Sequence, residues 1–321
     1  MVCRRTILLI PALIAVVLGA QAQGSEPLSK EIFFITDNDN YLLQRRDGYY
    51  TNGFNLAYQR AVTPRKASTQ KAIMRYELGQ MIFNPWKYSI VDPEQMDRPF
   101  AGYLFVKLSR SRFFKNNANF QYGASLGLLG PSSGAQSVQR KYHSLINIYE
   151  VRGWGYQLRN EPSLNLHGQY THPLYSKARL GEAVDLHAVA RANIGNAFTN
   201  AAAGLFFRIG AMESSNQSVA WNSRIASSGQ AFLRRSEFFV FFQPEIIYQA
   251  YNATLQGGMF LKNKGPVTAS LNPLLYQHRV GFMYSSPRFG LSVGIIHRTK
   301  ESKDMRRKEN YGSLGMSYRI R

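Results

Sequence analysis

Polar side chains gather in three loops of this sequence, and their types fit the hydrolysis of an ester. Ester hydrolysis needs a base that deprotonates water, an electrophile for the developing oxyanion and a grip on the substrate. Histidine titrates near neutral pH and suits the first task, and the third loop contains His143. Asn38, Asp39 and nearby carbonyls could hold a hard cation such as Ca²⁺ as the electrophile. Arg98 could grip a phosphate through two parallel hydrogen bonds.

Each of these residues also has a plain structural interpretation. Asn-Asp clusters usually form turns, and an Arg-Pro pair usually marks a loop. His143 is one of six histidines, and strand parity places two others, His167 and His187, in a barrel lumen as structural residues. A serine mechanism is the chemical alternative, but the chain has no Gly-x-Ser-x-Gly elbow. Ser144 directly follows His143, so the two side chains would point apart on a helix.

The elements that must position these loops are strands. From residue 29 onward, apolar residues alternate with polar or small ones, as at 120–128, 184–191 and 289–295. A bacterial single-chain barrel has an even number of strands, so we expect about twelve of the segments to be strands. The candidate segments are 29–37, 52–62, 71–83, 101–112, 119–129, 162–171, 178–193, 199–211, 236–250, 253–262, 274–285, 288–299 and 310–320.

The composition of these strands favours a membrane barrel over a soluble sandwich. They are about ten residues long, with Tyr and Phe near their ends, as interfacial girdles require. Their polar faces carry Gly and Ser as often as charge, which suits a crowded lumen. We therefore predict an all-β, antiparallel transmembrane β-barrel, in which closure pairs every backbone group. Long connections are predicted at 38–51, 84–100, 130–161 and 212–235, and the third could hold a short helix between Gln136 and Glu150, in an extracellular loop.

The N-terminus has the three parts of a Sec signal peptide. Two arginines precede an apolar run at 7–18, and Ala20-Gln21-Ala22 follows it. The run is too short to span hydrocarbon comfortably, so we expect cleavage after Ala22 instead of a membrane anchor. Residues 1–22 are then the signal peptide and residues 23–321 form one outer-membrane barrel domain. The only cysteine, Cys3, lies within the signal peptide, so the mature chain would have no disulfide.

The charge of the chain indicates which partners to expect. Its formal net charge is +20, and a soluble protein this basic would suggest nucleic acid. The basic residues are scattered instead of clustered, and the chain is expected to be exported. We therefore predict an anionic outer-membrane lipid as the partner and do not expect nucleic-acid binding.

The polar motifs, taken in order, resemble those of the outer-membrane lipid A 3'-O-deacylases. They are an Asn-Asp pair ending the first strand, Tyr-Thr-x-Gly opening the second, Arg-Pro-[Tyr/Phe]-Ala-Gly, and Gly-Pro…Gln-x3-His…Gly-Trp…Gln…Glu-Pro. Each motif alone is weak, whereas four in this order across nearly the whole mature chain are fairly specific. The resemblance implies a twelve-stranded barrel that hydrolyses an ester-linked acyl chain from lipid A in the outer leaflet.

The resemblance also implies roles for individual residues. The family's metal-binding pair falls on Asn38 and Asp39, with Ca²⁺ as the expected cofactor. Its catalytic histidine falls on His143, one helical turn after Gln139 if the loop is helical. Its active-site threonine falls on Thr51.

A basic residue of the family site falls on Arg98, which we predict to bind substrate, but the chain departs from the family pattern nearby. The family site has a lysine before this arginine, whereas here the position is Asp97. A carboxylate that orients the histidine in some members would fall near Tyr149, which leaves only Glu150. The chain also ends in Arg319-Ile320-Arg321 instead of the aromatic residue that aids the insertion of many barrels.

Two functions are compatible with a barrel of this kind. The first is a hydrolase, expected to be monomeric, that removes the 3'-O acyl chain from lipid A of lipopolysaccharide with a histidine base and Ca²⁺; a glycerophospholipid substrate stays open. The alternative is a non-enzymatic pore or structural barrel. A pore would keep its conspicuous polar residues in the lumen, whereas a lipid hydrolase would bring His143, Asn38, Asp39 and Arg98 to the outer rim.

Overall fold

The segments in which apolar residues alternate with polar or small ones form a closed antiparallel sheet. Each strand pairs with its neighbours in the chain, and the first pairs with the last. The computed structural model describes residues 28–42, 48–87, 89–179, 182–227 and 236–321. The described residues form twelve strands: β1 (Lys30–Asn38), β2 (Tyr49–Val62), β3 (Thr69–Asn84), β4 (Ala101–Phe114), β5 (Asn119–Leu129), β6 (Glu161–Arg179), β7 (Glu182–Gly195), β8 (Phe198–Ala211), β9 (Glu237–Asn252), β10 (Leu274–Ser285), β11 (Phe289–Arg298) and β12 (Glu309–Ile320).

The barrel of twelve strands is confirmed, and one predicted segment is not a strand. Residues 253–262 begin with the short helix α2 (Ala253–Gln256), because the Asn252 side chain accepts a hydrogen bond from the Thr254 N–H at 3.0 Å and caps a helical turn. Gly257 then turns the chain at a φ of +76°. The predicted start at 178 is also wrong, since β6 continues to Arg179. The predicted signal peptide, residues 1–22, lies outside the described residues.

The predicted helix in the third long connection is confirmed, although it is shorter than 136–150. Helix α1 covers Ala135–Leu145. Neither α1 nor α2 is long and apolar enough to cross a membrane.

The two ends of the barrel differ in the length of their connections. The start of β1 and the end of β12 lie at one end, together with the short turns 63–68, 115–118 and 286–288. Outer-membrane barrels have short periplasmic turns and longer extracellular loops, so this end is periplasmic. Segment 212–227, the described part of the predicted connection 212–235, lies at this end too, unlike the other three predicted long connections. The described parts of the extracellular loops are L1 (39–42 and 48), L2 (85–87 and 89–100), L3 (130–160), L4 (196–197), L5 (253–273) and L6 (299–308).

The two faces of the strands have opposite chemistry. Large apolar side chains point outward and are strongly exposed, including Leu56 at 53%, Val106 at 54% and Leu126 at 60%. Such a continuous exposed apolar belt needs lipid, since water would disfavour it. Inward positions carry polar and charged side chains, including Arg75 and Arg191, which line an internal cavity.

The lumen is occupied at both ends. At the extracellular end, Tyr50, Phe83, Tyr103 and Tyr311 pack together from different strands to form a mouth layer. At the periplasmic end, segment 212–227 folds into the barrel.

Segment 212–227 is held in the barrel by apolar packing and by a buried lysine. Val219 packs against Phe239 and Phe241 of β9. The Lys71 ammonium donates to the carbonyls of Asn216 at 2.6 Å and Ser223 at 2.9 Å. The polar lumen is therefore enclosed between this segment and the mouth layer.

The basic C-terminus has a structural reason. Arg319 is fully buried, and its Nε lies 2.9 Å from Oε1 of Glu31, so the side chain ties the last strand to the first. Its Nη1 also donates to the Ser286 carbonyl at 2.8 Å. A charged residue near the end of the chain thus contributes to closure from inside the barrel.

We predict that Arg319→Met destabilises the barrel by about 3–5 kcal/mol, because it leaves the Glu31 carboxylate buried without its counter-charge. The measurement is urea-induced loss of the compact, heat-modifiable form on gels, with exposed Arg321→Met as the control. The double variant Arg319→Met/Glu31→Gln should recover part of the loss. Equal stability of Arg319→Met and the wild type would show that this ion pair contributes nothing.

Candidate active site

The ends of β1 and β2 hold a cluster of buried oxygen-bearing side chains, which we call the L1 cluster: Asn38, Asp39, Thr51 and Asn52. The register pairs Asn38 with Asn52, and the Asn38 amide donates to Oδ1 of Asn52 at 2.5 Å. The Asp39 carboxylate accepts from the Gly48 N–H at 2.9 Å and from the Thr51 hydroxyl at 3.4 Å. The register of β2 against β3 shifts at Thr51, and such a bulge re-aims a side chain.

Helix α1 is seated directly on the barrel wall. The Gln80 side chain of β3 donates to the Ser133 carbonyl just before the helix at 2.7 Å. At Gly102 of β4, a Cβ would lie 2.1 Å from the Ser133 hydroxyl and 2.3 Å from the Ala135 Cβ, so glycine permits this close approach. The helix buries Ala135, Gln139 and His143, which are spaced four residues apart and form one face. The predicted shared face of Gln139 and His143 is confirmed.

A backbone carbonyl orients His143. Its Nδ1 lies 2.8 Å from the Tyr149 carbonyl oxygen, which can only accept, so Nδ1 carries a proton in this bond. Glu150 does not have this role, because its carboxylate lies 3.8 Å from Arg140 with both side chains largely exposed. This bond fixes the orientation of the ring, so any proton that the ring accepts goes to Nε2.

Trp154 orients Gln139. Its indole N–H donates to Oε1 of Gln139 at 2.8 Å, which directs the amide nitrogen of Gln139 away from the tryptophan. The indole is only 4% exposed and packs on Phe100, with ring centroids 5.1 Å apart. The sequence indicated Trp154 only as part of a Gly-Trp motif, and its contact with Gln139 was missed.

Arg98 points into the protein. It is fully buried, its Nη2 donates to the Thr254 hydroxyl at 3.2 Å, and its Nη1 lies 3.6 Å from Oε2 of Glu301. The guanidinium also lies 4.4 Å from the centroid of the Phe83 ring. Burial lowers the pKa of Arg98, while Glu301 opposes that shift. The contacts of Arg98 with Thr254 and Glu301 join L2 to L5 and L6. A contact between Arg98 and a substrate phosphate stays a prediction.

Buried charges continue from Arg98 to the start of β2. Glu301 accepts from Arg298 at 2.7 Å, and Arg298 also lies 3.1 Å from Glu309. Glu309 in turn accepts from the backbone N–H of Tyr50, next to Thr51, at 2.9 Å. These residues stand far apart in the sequence, and no motif signals their contact.

Asp97 links the start of β2, the first part of L2 and L6. Its carboxylate accepts from the Tyr49 hydroxyl at 2.7 Å, from the Trp86 N–H at 2.9 Å and from the Arg306 N–H at 3.0 Å. Asp97 is therefore a buried acceptor that ties these three segments together.

The predicted site residues other than Arg98 lie at the extracellular rim in two groups. Asp39 contacts Thr51 in the L1 cluster, and Gln139 shares a face of α1 with His143. Helix α1 contacts β3 and β4, and β3 lies next to β2, which carries Thr51. Arg98 belongs instead to the buried charge network.

The chemistry of the L1 cluster fits a hard cation. Its donors are the Asp39 carboxylate, two amide oxygens and the Thr51 hydroxyl, and oxygen donors of this kind are those that Ca²⁺ prefers. Within the described ranges, no group of three or more His, Cys, Asp or Glu side chains is arranged to hold a metal. We therefore propose a Ca²⁺ site in which Asp39 supplies the carboxylate ligand. Asn38 and its neighbours would supply neutral oxygen ligands.

Comparisons with known proteins identify a matching protein family and a solved structure of similar fold. The family model described as "Outer membrane protein LpxR" matches residues 7–320. The solved structure of LpxR from Salmonella typhimurium is similar over 90% of this chain and 99% of that chain, with 21% identity and a TM-score of 0.73. That likeness shows a shared fold.

Other barrels are more distantly similar. The beta domain of the Bordetella autotransporter Brka aligns over 90% of this chain and 98% of that chain, with 8% identity and a TM-score of 0.44. The KdgM porin aligns over 91% and 99%, with 8% identity and a TM-score of 0.38. A comparison with curated proteins finds no match.

We predict that Asp39→Asn weakens Ca²⁺ binding by about tenfold or more, because Ca²⁺ affinity depends on ligand charge. Asparagine keeps an oxygen for the Gly48 N–H, so the loop should stay folded. The measurement is the rise in unfolding temperature as Ca²⁺ is titrated into detergent-solubilised protein, and Asp92→Asn in the exposed part of L2 is the control. The proposed site would be refuted if Ca²⁺ did not stabilise the wild type. It would also be refuted if the Ca²⁺ titration of Asp39→Asn were identical to that of the wild type.

Proposed function

This chain belongs to the LpxR family of outer membrane proteins, and from that premise we propose that it hydrolyses the ester that links an acyl chain to the 3'-O position of lipid A. The observation that carries the proposal is the hydrogen bond from His143 Nδ1 to the Tyr149 carbonyl. It orients the imidazole on a helix at the extracellular rim, so that Nε2 would be the nitrogen that acts as the base. Lipopolysaccharide in the outer leaflet would present its acyl esters at this level.

The proposed reaction begins when Nε2 of His143 takes a proton from water. The hydroxide oxygen bonds to the ester carbonyl carbon and forms a tetrahedral intermediate. The intermediate then breaks its bond to the 3' oxygen, which receives the proton from the imidazolium. The products are a fatty acid and a free sugar hydroxyl.

Other residues of the site would prepare this step. The Gln139 amide, oriented by Trp154, lies on the same face of α1 as His143 and would help to position its ring. The Thr51 hydroxyl, donating to Asp39, holds the carboxylate of the L1 cluster. A Ca²⁺ ion bound by Asn38, Asp39 and nearby oxygens would supply a Lewis acid for the ester carbonyl.

The closed lumen disfavours the alternative of a pore. The mouth layer and segment 212–227 lie across the two ends of the lumen. The conspicuous polar residues lie above the mouth layer or on α1. This placement is the one expected of an enzyme that works on membrane lipid from the rim.

We expect His143→Ala to lower the rate of acyl release by about 10²–10⁴-fold, because it removes the general base. The assay measures fatty acid released from lipid A in detergent micelles, and heat-modifiable migration on gels checks folding. His167→Ala is the matched control and should keep most of the activity, since His167 lies on the lumen side of β6 opposite Gly123. His187 is less suitable because it is buried beside Asp185.

The serine alternative makes the opposite prediction. Ser144 is exposed on α1, next to buried His143. If Ser144→Ala abolished acyl release while His143→Ala retained the wild-type rate, the histidine mechanism would be wrong.

A further inference from the structure

Two exposed cations share one aromatic ring at the extracellular rim. The Arg306 guanidinium lies 4.3 Å from the centroid of the Trp86 indole, and the Lys87 ammonium lies 5.9 Å from it. Both side chains are exposed, and among the described residues neither has an ion-pair partner. We call Trp86, Lys87 and Arg306 the Trp86 platform. Its charge is available to a ligand, whereas that of Arg98 is buried.

The platform is held in place by the Asp97 carboxylate. Oδ1 accepts from the Trp86 N–H at 2.9 Å, and Oδ2 accepts from the Arg306 N–H at 3.0 Å. The Arg307 side chain adds a bond to the Trp86 carbonyl at 2.9 Å. The backbones that carry the two cations are thus fixed to each other before any ligand arrives, which lowers the entropic cost of binding.

The platform packs against the loop that carries Asp39. Gly48, whose N–H donates to Asp39, lies so close that a Cβ there would be 2.9 Å from the Trp86 carbonyl oxygen and 3.0 Å from Nη2 of Arg307. A ligand on the platform would therefore lie beside the L1 cluster.

The surroundings also favour an anion. L6 contains five basic residues and two acidic ones, and one of the two, Glu301, is buried against Arg98 and Arg298. Basic side chains in a row at a membrane surface attract anionic headgroups. Two cations with fixed backbones suit a phosphate, which can accept hydrogen bonds from both.

We propose that Lys87 and Arg306 bind the lipid A phosphate that neighbours the scissile 3'-O ester and thereby select phosphorylated substrate. This inference rests on the proposed function and adds a subsite to it. The phosphate would hold the sugar ring beside Gly48 while the ester lies at the L1 cluster and α1.

The test compares bisphosphorylated lipid A with lipid A that lacks the 4'-phosphate, both in detergent micelles. The variant is Lys87→Ala/Arg306→Ala, which leaves the backbone bonds to Asp97 in place. For the phosphorylated substrate, KM should rise by about tenfold or more while kcat changes little, since charged hydrogen bonds to the ground state are lost. For the dephosphorylated substrate, variant and wild type should have similar kinetics. The single variant Arg306→Lys, with Lys87 unchanged, should retain most of the preference for the phosphorylated substrate.

Lys303→Ala is the matched control, because it removes an exposed charge from the same loop without touching Trp86. The proposed phosphate-binding role of the Trp86 platform would be overturned by any of three results. Lys303→Ala could have the same effect, the double variant could lose as much activity on both substrates, or the wild type could cleave both substrates equally. A wild type that releases no acyl chain from either lipid A would instead refute the proposed function.

Discussion

Closure of β1 against β12 is the constraint on which the rest of this structure depends. In hydrocarbon, each unpaired backbone N–H or C=O costs several kcal/mol, so the sheet has to be continuous around the barrel. The seam runs from Lys30 opposite Ile320 to Asn38 opposite Gly312, and the buried pair of Arg319 and Glu31 lies at its periplasmic end. Irregular backbone is then restricted to the lumen and the two rims. The proposed site, which would have to reach lipid A esters, is accordingly built mainly from extracellular loops.

Those loops are held together by buried charges as well as by apolar packing, such as that of Phe100 on Trp154. Asp97 of L2 joins β2 to L6 with a single carboxylate, and Arg98 joins L2 to L5 and L6. Removing either partner of such a pair is costly, which keeps the loops in one arrangement. Rigid loops are what a hydrolase needs, since the base has to be oriented before substrate binds. The Tyr149 carbonyl provides this orientation for His143.

The sequence predicts the parts that depend on local pattern. Alternation along each strand is local, so the barrel and eleven pairs of neighbouring strands follow from it, and the four-residue spacing of Gln139 and His143 predicts their shared face. The strand predicted at 253–262 fails because capping by Asn252 overrides the alternation. The burial of Arg98 depends on Glu301, from the opposite end of the chain, and the partner of His143 is a backbone carbonyl. Neither contact has a signature among side-chain types.

The most direct test of this account is mass spectrometry of lipid A from bacteria that carry this chain and from the same strain without it. The account predicts a lipid A species that has lost the mass of one ester-linked acyl chain, with fragmentation placing the free hydroxyl at the 3' position. The species should be present only when the chain is produced and folded in the outer membrane. Identical lipid A profiles, together with a folded barrel in the outer membrane and added Ca²⁺, would contradict the claim that this protein is a lipid A hydrolase.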